Sequence, residues 1–279
     1  MSSVVFGSRA CAFALALVAS APACAQSFEE ELLELVNLVR WENGQLPPLK
    51  GDPQLDASSE GHSQAMASRD FFAHCDLDTG LSPFQRMRNA GYAFHAAGEN
   101  IAAGSTGPAA VLSGWMNSAG HRQQLLSTSY REIGTGYAFD PTDVSVRRDV
   151  DGNCSTDTVS NWPLQHYWTQ DFGRRPDSYP VVIEREAYET ADCVVDLYVY
   201  GAGSGSEVRL SNDGVSWSAW ESLATNRTWT LAGVAGGIAT VYAQLRISGM
   251  ELASSDQIHL GANCGGAPGL MPLFANEFE

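Results

Sequence analysis

The spacing of apolar residues changes once along this chain, near residues 176–180, and the change divides it into two differently built parts. Before that point Leu32, Leu35, Val36 and Val39 recur at helical intervals between Phe28 and Trp41, and Asn43-Gly44 with Pro47-Pro48 ends the run. A second helix is expected from about Asp52-Pro53 to Asp70, with Leu55, Ala65 and Met66 inward. Ser82-Pro83 reads as a cap and first-turn proline for a third ending at Ala90-Gly91, and Val111, Leu112 and Trp115 give a fourth from Pro108 to Met116. Strands are expected at 132–139 and 166–172, where aromatic and β-branched residues lie between glycines. Arg174-Arg175-Pro176-Asp177 breaks the pattern. Beyond Pro180 only short alternating strands remain, at 193–200, 208–210, 228–231 and 240–247, separated by Gly, Ser and Asn-Asp-Gly turns.

Residues 1–25 have the form of a secretory signal: one basic residue, Arg9, an apolar run from Cys11 to Val18, and small residues at Ala23-Cys24-Ala25. The apolar run is too short to span a bilayer, so an exported protein, secreted or periplasmic, is expected. Four cysteines remain after such a segment is removed: Cys75, Cys154, Cys193 and Cys264. An even number suits an oxidising destination, and three pairings are open. The division of the chain favours Cys75 with Cys154 and Cys193 with Cys264, one bridge per part. With Arg9 gone, fifteen basic residues face thirty-two acidic ones, a net charge of −17 against −16 for the whole chain. Nucleic acid and anionic membrane surfaces are thereby unfavoured as partners.

Five motifs follow in order: Phe71-Phe72-Ala73-His74, Gly98-Glu99-Asn100-Ile101, Gly120-His121-Arg122, Glu132-Ile133-Gly134-Thr135-Gly136-Tyr137 and Tyr167-Trp168-Thr169-Gln170-Asp171-Phe172-Gly173. With Ser82-Pro83 and Trp115-Met116 between them, the series closely resembles the bacterial branch of the CAP superfamily, the cysteine-rich secretory, antigen 5 and pathogenesis-related 1 proteins. The resemblance covers roughly residues 30–175. It implies an α-β-α sandwich, the arrangement that the helices and antiparallel strands also suggest, with His74, Glu99 and His121 facing a central cleft. Better-studied members present two histidines and two glutamates. Here Tyr167 replaces the histidine of their His-Tyr-Thr-Gln motif and Ser118 stands where the second glutamate is expected, which leaves Glu132 as a candidate second carboxylate. The Gly98-Glu99 and Gly120-His121 pairs are expected in glycine-flanked turns that aim polar side chains inward.

Two imidazoles and a carboxylate are a donor set for zinc with an open position, so His74, His121 and Glu99 are candidate zinc ligands. Mutual hydrogen bonding without metal is the other reading. A serine hydrolase would use a histidine as base, Glu99 to orient it, and Ser82 or Ser118 as nucleophile, but the chain has no Gly-x-Ser-x-Gly elbow. Asp149, Asp151 and Asn153 resemble the first half of a calcium loop, although Cys154 and Ser160 stand where glycine and a closing glutamate belong.

In the second part, Arg209-Leu210-Ser211-Asn212-Asp213-Gly214, Trp217-Ser218-Ala219-Trp220, Trp229-Thr230-Leu231 and 241–246 resemble an immunoglobulin-like or fibronectin-like β-sandwich. Its tryptophans are expected in or beside the core, with sugar stacking as the sharper alternative. The expected organisation is a signal at 1–25, a CAP domain at 26–178, an immunoglobulin-like module at 183–263 and a tail at 264–279, an α+β fold overall with an all-β second domain. The expected role is binding, in an acidic His/Glu cleft, of a lipid, a cell-wall fragment, a peptide or a partner protein. A metal-dependent or serine hydrolase, and a structural protein of the cell envelope, are the alternatives.

Overall fold

The computed structural model describes residues 25–261. Residues 1–24 of the expected signal and the tail 264–279, Cys264 included, lie outside them. The first part contains α1 (Phe28–Glu42), β1 (Lys50–Gly51), α2 (Pro53–Ser68), β2 (Phe71–Phe72), α3 (Pro83–Asn89), β3 (Ala96–Ala103), α4 (Pro108–Asn117), α5 (Ala119–Leu125), β4 (Glu132–Phe139), β5 (Val146–Arg148), β6 (Thr158–Ser160) and β7 (His166–Arg174). Strands pair in the order β1-β4-β7-β3, so β1 and β3 form opposite edges of the main sheet.

Helices cover both faces because β7 alternates. Trp168 and Phe172 join Leu32, Val36, Leu112, Trp115 and Ile133 under α1 and α4, while Tyr167 packs with Met66, Ala67 and Ile101 under α2. The helix ends follow local chemistry. Ser27 and Glu30 form a capping box at α1, whose first turn also carries Glu29 and Glu31. Asp52 caps α2 by accepting from Gln54 and Leu55 N–H, with Pro53 in the first turn.

Glycine sets how closely α2 approaches the sheet. A Cβ on Gly134 or Gly136 would collide with the α2 backbone at Leu55–Asp56 or Ser59–Glu60. Ser59 and Ser63 use the short separation to donate to the carbonyls of Gly134 (3.2 Å) and Gly136 (3.0 Å). Serines therefore occupy a buried helix face that would otherwise be apolar. β2, β5 and β6 form a small separate sheet, and the expected Cys75–Cys154 bridge is present beside it. That bridge spans 79 residues, which in the chain-entropy account stabilises by roughly 4–5 kcal/mol.

The second part contains β8 (Val181–Ile183), β9 (Glu189–Thr190), β10 (Val194–Val199), β11 (Glu207–Ser211), β12 (Glu221–Ser222), β13 (Asn226–Thr230), β14 (Ile238–Ile247) and β15 (Met250–Leu260). Sheets ordered β13-β10-β8 and β12-β11-β14-β15-β9 enclose a single apolar core that includes Ile183, Leu197, Val208, Val241 and Leu245. Cys193 is not a free thiol; its expected partner, Cys264, is outside the described residues. Trp229 packs against the core and donates to Asn212 Oδ1 at 2.8 Å. Guanidinium groups lie over Trp220, Arg246 at 3.9 Å and Arg209 at 4.8 Å from the ring centroid, so this ring is already stacked within the protein.

Apart from strands of two or three residues, three of the described elements differ from expectation. Gly98 and Glu99 belong to β3 rather than to a turn, and β3 pairs with β7 residue for residue from Ala96↔Arg174 to Ala103↔Tyr167. Gly120 and His121 lie within the short helix α5, not in a loop after α4. β15 was not anticipated, because two of its inward positions are polar: Ser254 Oγ accepts Val181 N–H and Asp256 Oδ2 accepts Ile183 N–H.

Candidate functional site

Glu99 reaches the α2 side of the exposed sheet edge from β3, with its side chain only 2 % exposed. Both of its oxygens are engaged. His74, just after β2, places Nδ1 2.7 Å from Oε1, and Arg86 of α3 pairs with Oε2. Burial opposes the Glu99 charge, but the hydrogen bond with His74 and the Arg86 guanidinium outweigh it and hold the carboxyl below its ordinary range. Arg86 is itself fixed by donating to the carbonyls of His74 (2.8 Å) and Leu81 (3.1 Å). The His74 side chain is 53 % exposed, so the ring stands at the surface with Nε2 not engaged by Glu99.

His121 stands near His74. Burial first, and the neighbouring His74 second, lower its affinity for a proton, which favours the neutral ring. Its backbone carbonyl accepts from Asn100 Nδ2 at 3.3 Å, which ties α5 to β3.

Beneath this surface two rows of polar side chains cross the sheet. On the α2 face Glu99 is the register partner of Asp171; on the opposite face Asn100 is the partner of Gln170. Asp171 is wholly buried. Its oxygens make no hydrogen bond of good geometry among the described residues, although Ser58 and Glu99 lie beside it. Burial, reinforced by the Glu99 charge, raises its carboxyl far above the ordinary range and so favours its protonated form. His62 is also buried, with Nε2 2.9 Å from the Ala73 carbonyl oxygen, and burial lowers it to about 4. One buried guanidinium thus serves two buried carboxyls and an uncharged imidazole. The Glu99 charge at the centre of the cluster is paired with Arg86.

Glu132 is not a second cleft carboxylate. It sits at the start of β4, two strands from Glu99, and its oxygens accept from Tyr92 OH (2.6 Å), Ser178 Oγ (2.7 Å) and the Arg175 guanidinium. It anchors the segment that leads into the second part. The sequence pattern brings together His74, Glu99 and His121, and it missed Arg86 and Asp171. Arg86 lies on a short helix without a motif, whereas Asp171 lay in the open within Thr169-Gln170-Asp171-Phe172.

As a zinc site this donor set is incomplete. His74, Glu99 and His121 do not bring ligand atoms all within 4.8 Å of one another, and Glu99 is committed to Arg86 and His74. Asp149, Asp151 and Asp157 do come that close, but their oxygens already accept backbone N–H groups: Asp149 Oδ1 from Gly152 (2.7 Å), Asp149 Oδ2 from Cys154 (2.9 Å), Asp151 Oδ1 from Asn153 (3.1 Å) and Asp157 Oδ2 from Val150 (2.7 Å). Ser82, a candidate nucleophile, donates its hydroxyl to Gln85 at 2.9 Å and so belongs to the α3 cap.

The family model described as CAP, cysteine-rich secretory protein family, matches residues 33–172. A Bacillus subtilis protein, uncharacterized protein YkwD, is 40 % identical over 118 residues, 42 % of this chain and 45 % of the relative. The uncharacterized membrane protein YlbC of the same organism is 38 % identical over 108 residues, 39 % of this chain and 31 % of that protein. The chain therefore spans less than half the length of either relative. Among solved structures, an extracellular SCP-domain protein of Bacillus anthracis aligns at 28 % identity and a TM-score of 0.41, covering 53 % of this chain and 40 % of that one. An outer surface protein of Borrelia burgdorferi aligns at 20 % identity and a TM-score of 0.39, covering 52 % of this chain and 91 % of that one.

Proposed function

The chain belongs to the CAP, or cysteine-rich secretory protein, family, and from that premise we propose that it is an exported binding protein whose ligand is held by His74 and His121. The observation that carries this reading is the engagement of both Glu99 oxygens. A carboxylate held by Arg86 and His74 orients an imidazole and has no oxygen to spare for a metal ion. With Nδ1 donating to Glu99, neutral His74 has Nε2 as an acceptor, and a protonated ring offers it as a donor. A polar ligand suits that pair, and a peptide or glycan fragment of the cell envelope supplies amide, hydroxyl and carboxylate groups of the right kind.

Export is supported by the signal-like residues 1–25 and by the Cys75–Cys154 bridge, which persists only where thiols are not kept reduced. Among the described residues no helix is long and apolar enough to cross a membrane. The all-β second part is consistent with an immunoglobulin-like module. The hydrolase reading gains nothing from Ser82, and a zinc-dependent one lacks a free third donor.

Calorimetric titration of the full chain with soluble peptidoglycan fragments, and separately with zinc chloride, tests the proposal. Saturable fragment binding that a His74→Gln, His121→Gln double variant loses at least tenfold is expected, with zinc weaker. Fragment affinity equal in the two proteins would exclude this cleft.

A further inference from the structure

We propose that the second, all-β part is a latched partner of the CAP domain, covering the β1 edge of its sheet, and that the two unfold as one unit. This is independent of what the cleft holds. Sequence texture divides the chain into two differently built parts. The contacts between them join those parts.

The junction is built on buried charge. Lys50, on edge strand β1, pairs with Glu186 at 2.9 Å and also with Asp256 of β15. The three side chains are 20, 11 and 2 % exposed. Buried ionic groups need one another: without Lys50 two carboxyls would lie together in the interior, and without the second part Lys50 would lose both partners. Asn37 of α1, 1 % exposed, donates from Nδ2 to Leu49 O (2.9 Å) and to Arg185 O (3.0 Å), so one carboxamide joins both parts. Tyr200 OH donates to Pro48 O at 2.9 Å, and the Arg131 guanidinium lies over the rings of Tyr179 (4.5 Å) and Tyr200 (5.3 Å).

Backbone conformation supplies an independent observation. Glu184, Arg185 and Glu186 have φ of +43°, +58° and +66°, three consecutive non-glycine residues in the left-handed region. Such residues persist where surrounding contacts over-determine them. Two of the three make contacts across the junction: Arg185 through its carbonyl to Asn37 and its guanidinium 3.5 Å over Trp41, and Glu186 through Lys50. The turn is the latch, and docking maintains it.

The latch also explains how a two-residue edge strand is protected. β1 is at one edge of the sheet and β3, with the cleft, at the other. Covering β1 blocks edge-to-edge pairing and leaves the cleft open.

Calorimetry of the full chain, with limited trypsin digestion after Arg174, tests the proposal. A single cooperative transition is expected for wild type, with slow cleavage. Lys50→Met should lower the midpoint by on the order of 10 °C, split the transition and speed cleavage at least tenfold. Arg185→Ala, which removes only a surface side chain of the latch, should fold and show the same changes to a smaller degree. Two separate transitions in wild type, or an Arg185→Ala protein with unchanged midpoint and cleavage rate, would overturn the proposal.

Discussion

At the scale of single residues the cleft depends on how few cations neutralise its carboxyls. Arg86 is the one guanidinium paired with Glu99, and both are buried. Removing one member of a buried pair leaves the other charge uncompensated, so Arg86→Met should cost about 3–5 kcal/mol in urea unfolding at pH 7. His62 carries the acid sensitivity. Its folded-state value of about 4 lies below the ordinary 6.5, so its contribution is fully present above pH 6.5 and is lost as pH falls through 4. Wild type should therefore lose on the order of 3 kcal/mol over that interval that a His62→Gln protein does not lose. Paired denaturation curves from pH 7 to pH 4 check the difference. His74 and His121 were singled out in the sequence because each sits in a compact motif. Arg86 was not, since a partner thirteen residues away is set by how α3 packs on β3, and local spacing carries no trace of that.

At the scale of elements, α1 to α4 were readable from apolar spacing and cap residues. Asp52 with Pro53 and Ser82 with Pro83 each mark a start where the fold has one. β3 and α5 escaped because Ala96-Ala97-Gly98-Glu99 has no apolar alternation and Ala119–Leu125 has no apolar stripe; both are held by neighbours, β3 by β7 and α5 by Asn100. β15 escaped because Ser254 and Asp256 face inward to serve other backbone and Lys50. The glycine alternation on β4 has a sharper consequence. Since a Cβ on Gly134 would meet the Leu55 backbone, Gly134→Ala must push α2 off the sheet, with a loss of about 1–3 kcal/mol or more by denaturant midpoint. Gly114→Ala, with nothing within 4 Å, should show no such loss.

At the scale of the whole molecule, a strongly acidic chain carries at one sheet edge a buried Glu99 neutralised by Arg86, with the imidazole of His74 exposed beside it. The family resemblance singled out His74, Glu99 and His121; the hydrogen bonding of Glu99 limits what that cluster can do. Glu132, the other candidate carboxylate, works instead at the base of the second part, and only the folded chain shows this. The measurement that bears most directly on the account follows the ring nitrogens of 15N-labelled histidine in the full chain during titration with soluble peptidoglycan fragments. The account predicts that whenever the His74 ring is neutral its proton is on Nδ1, and that fragments produce saturable shifts at His74 Nε2 and at His121. A neutral His74 ring with its proton on Nε2, or fragment binding that leaves both rings unshifted, would contradict it.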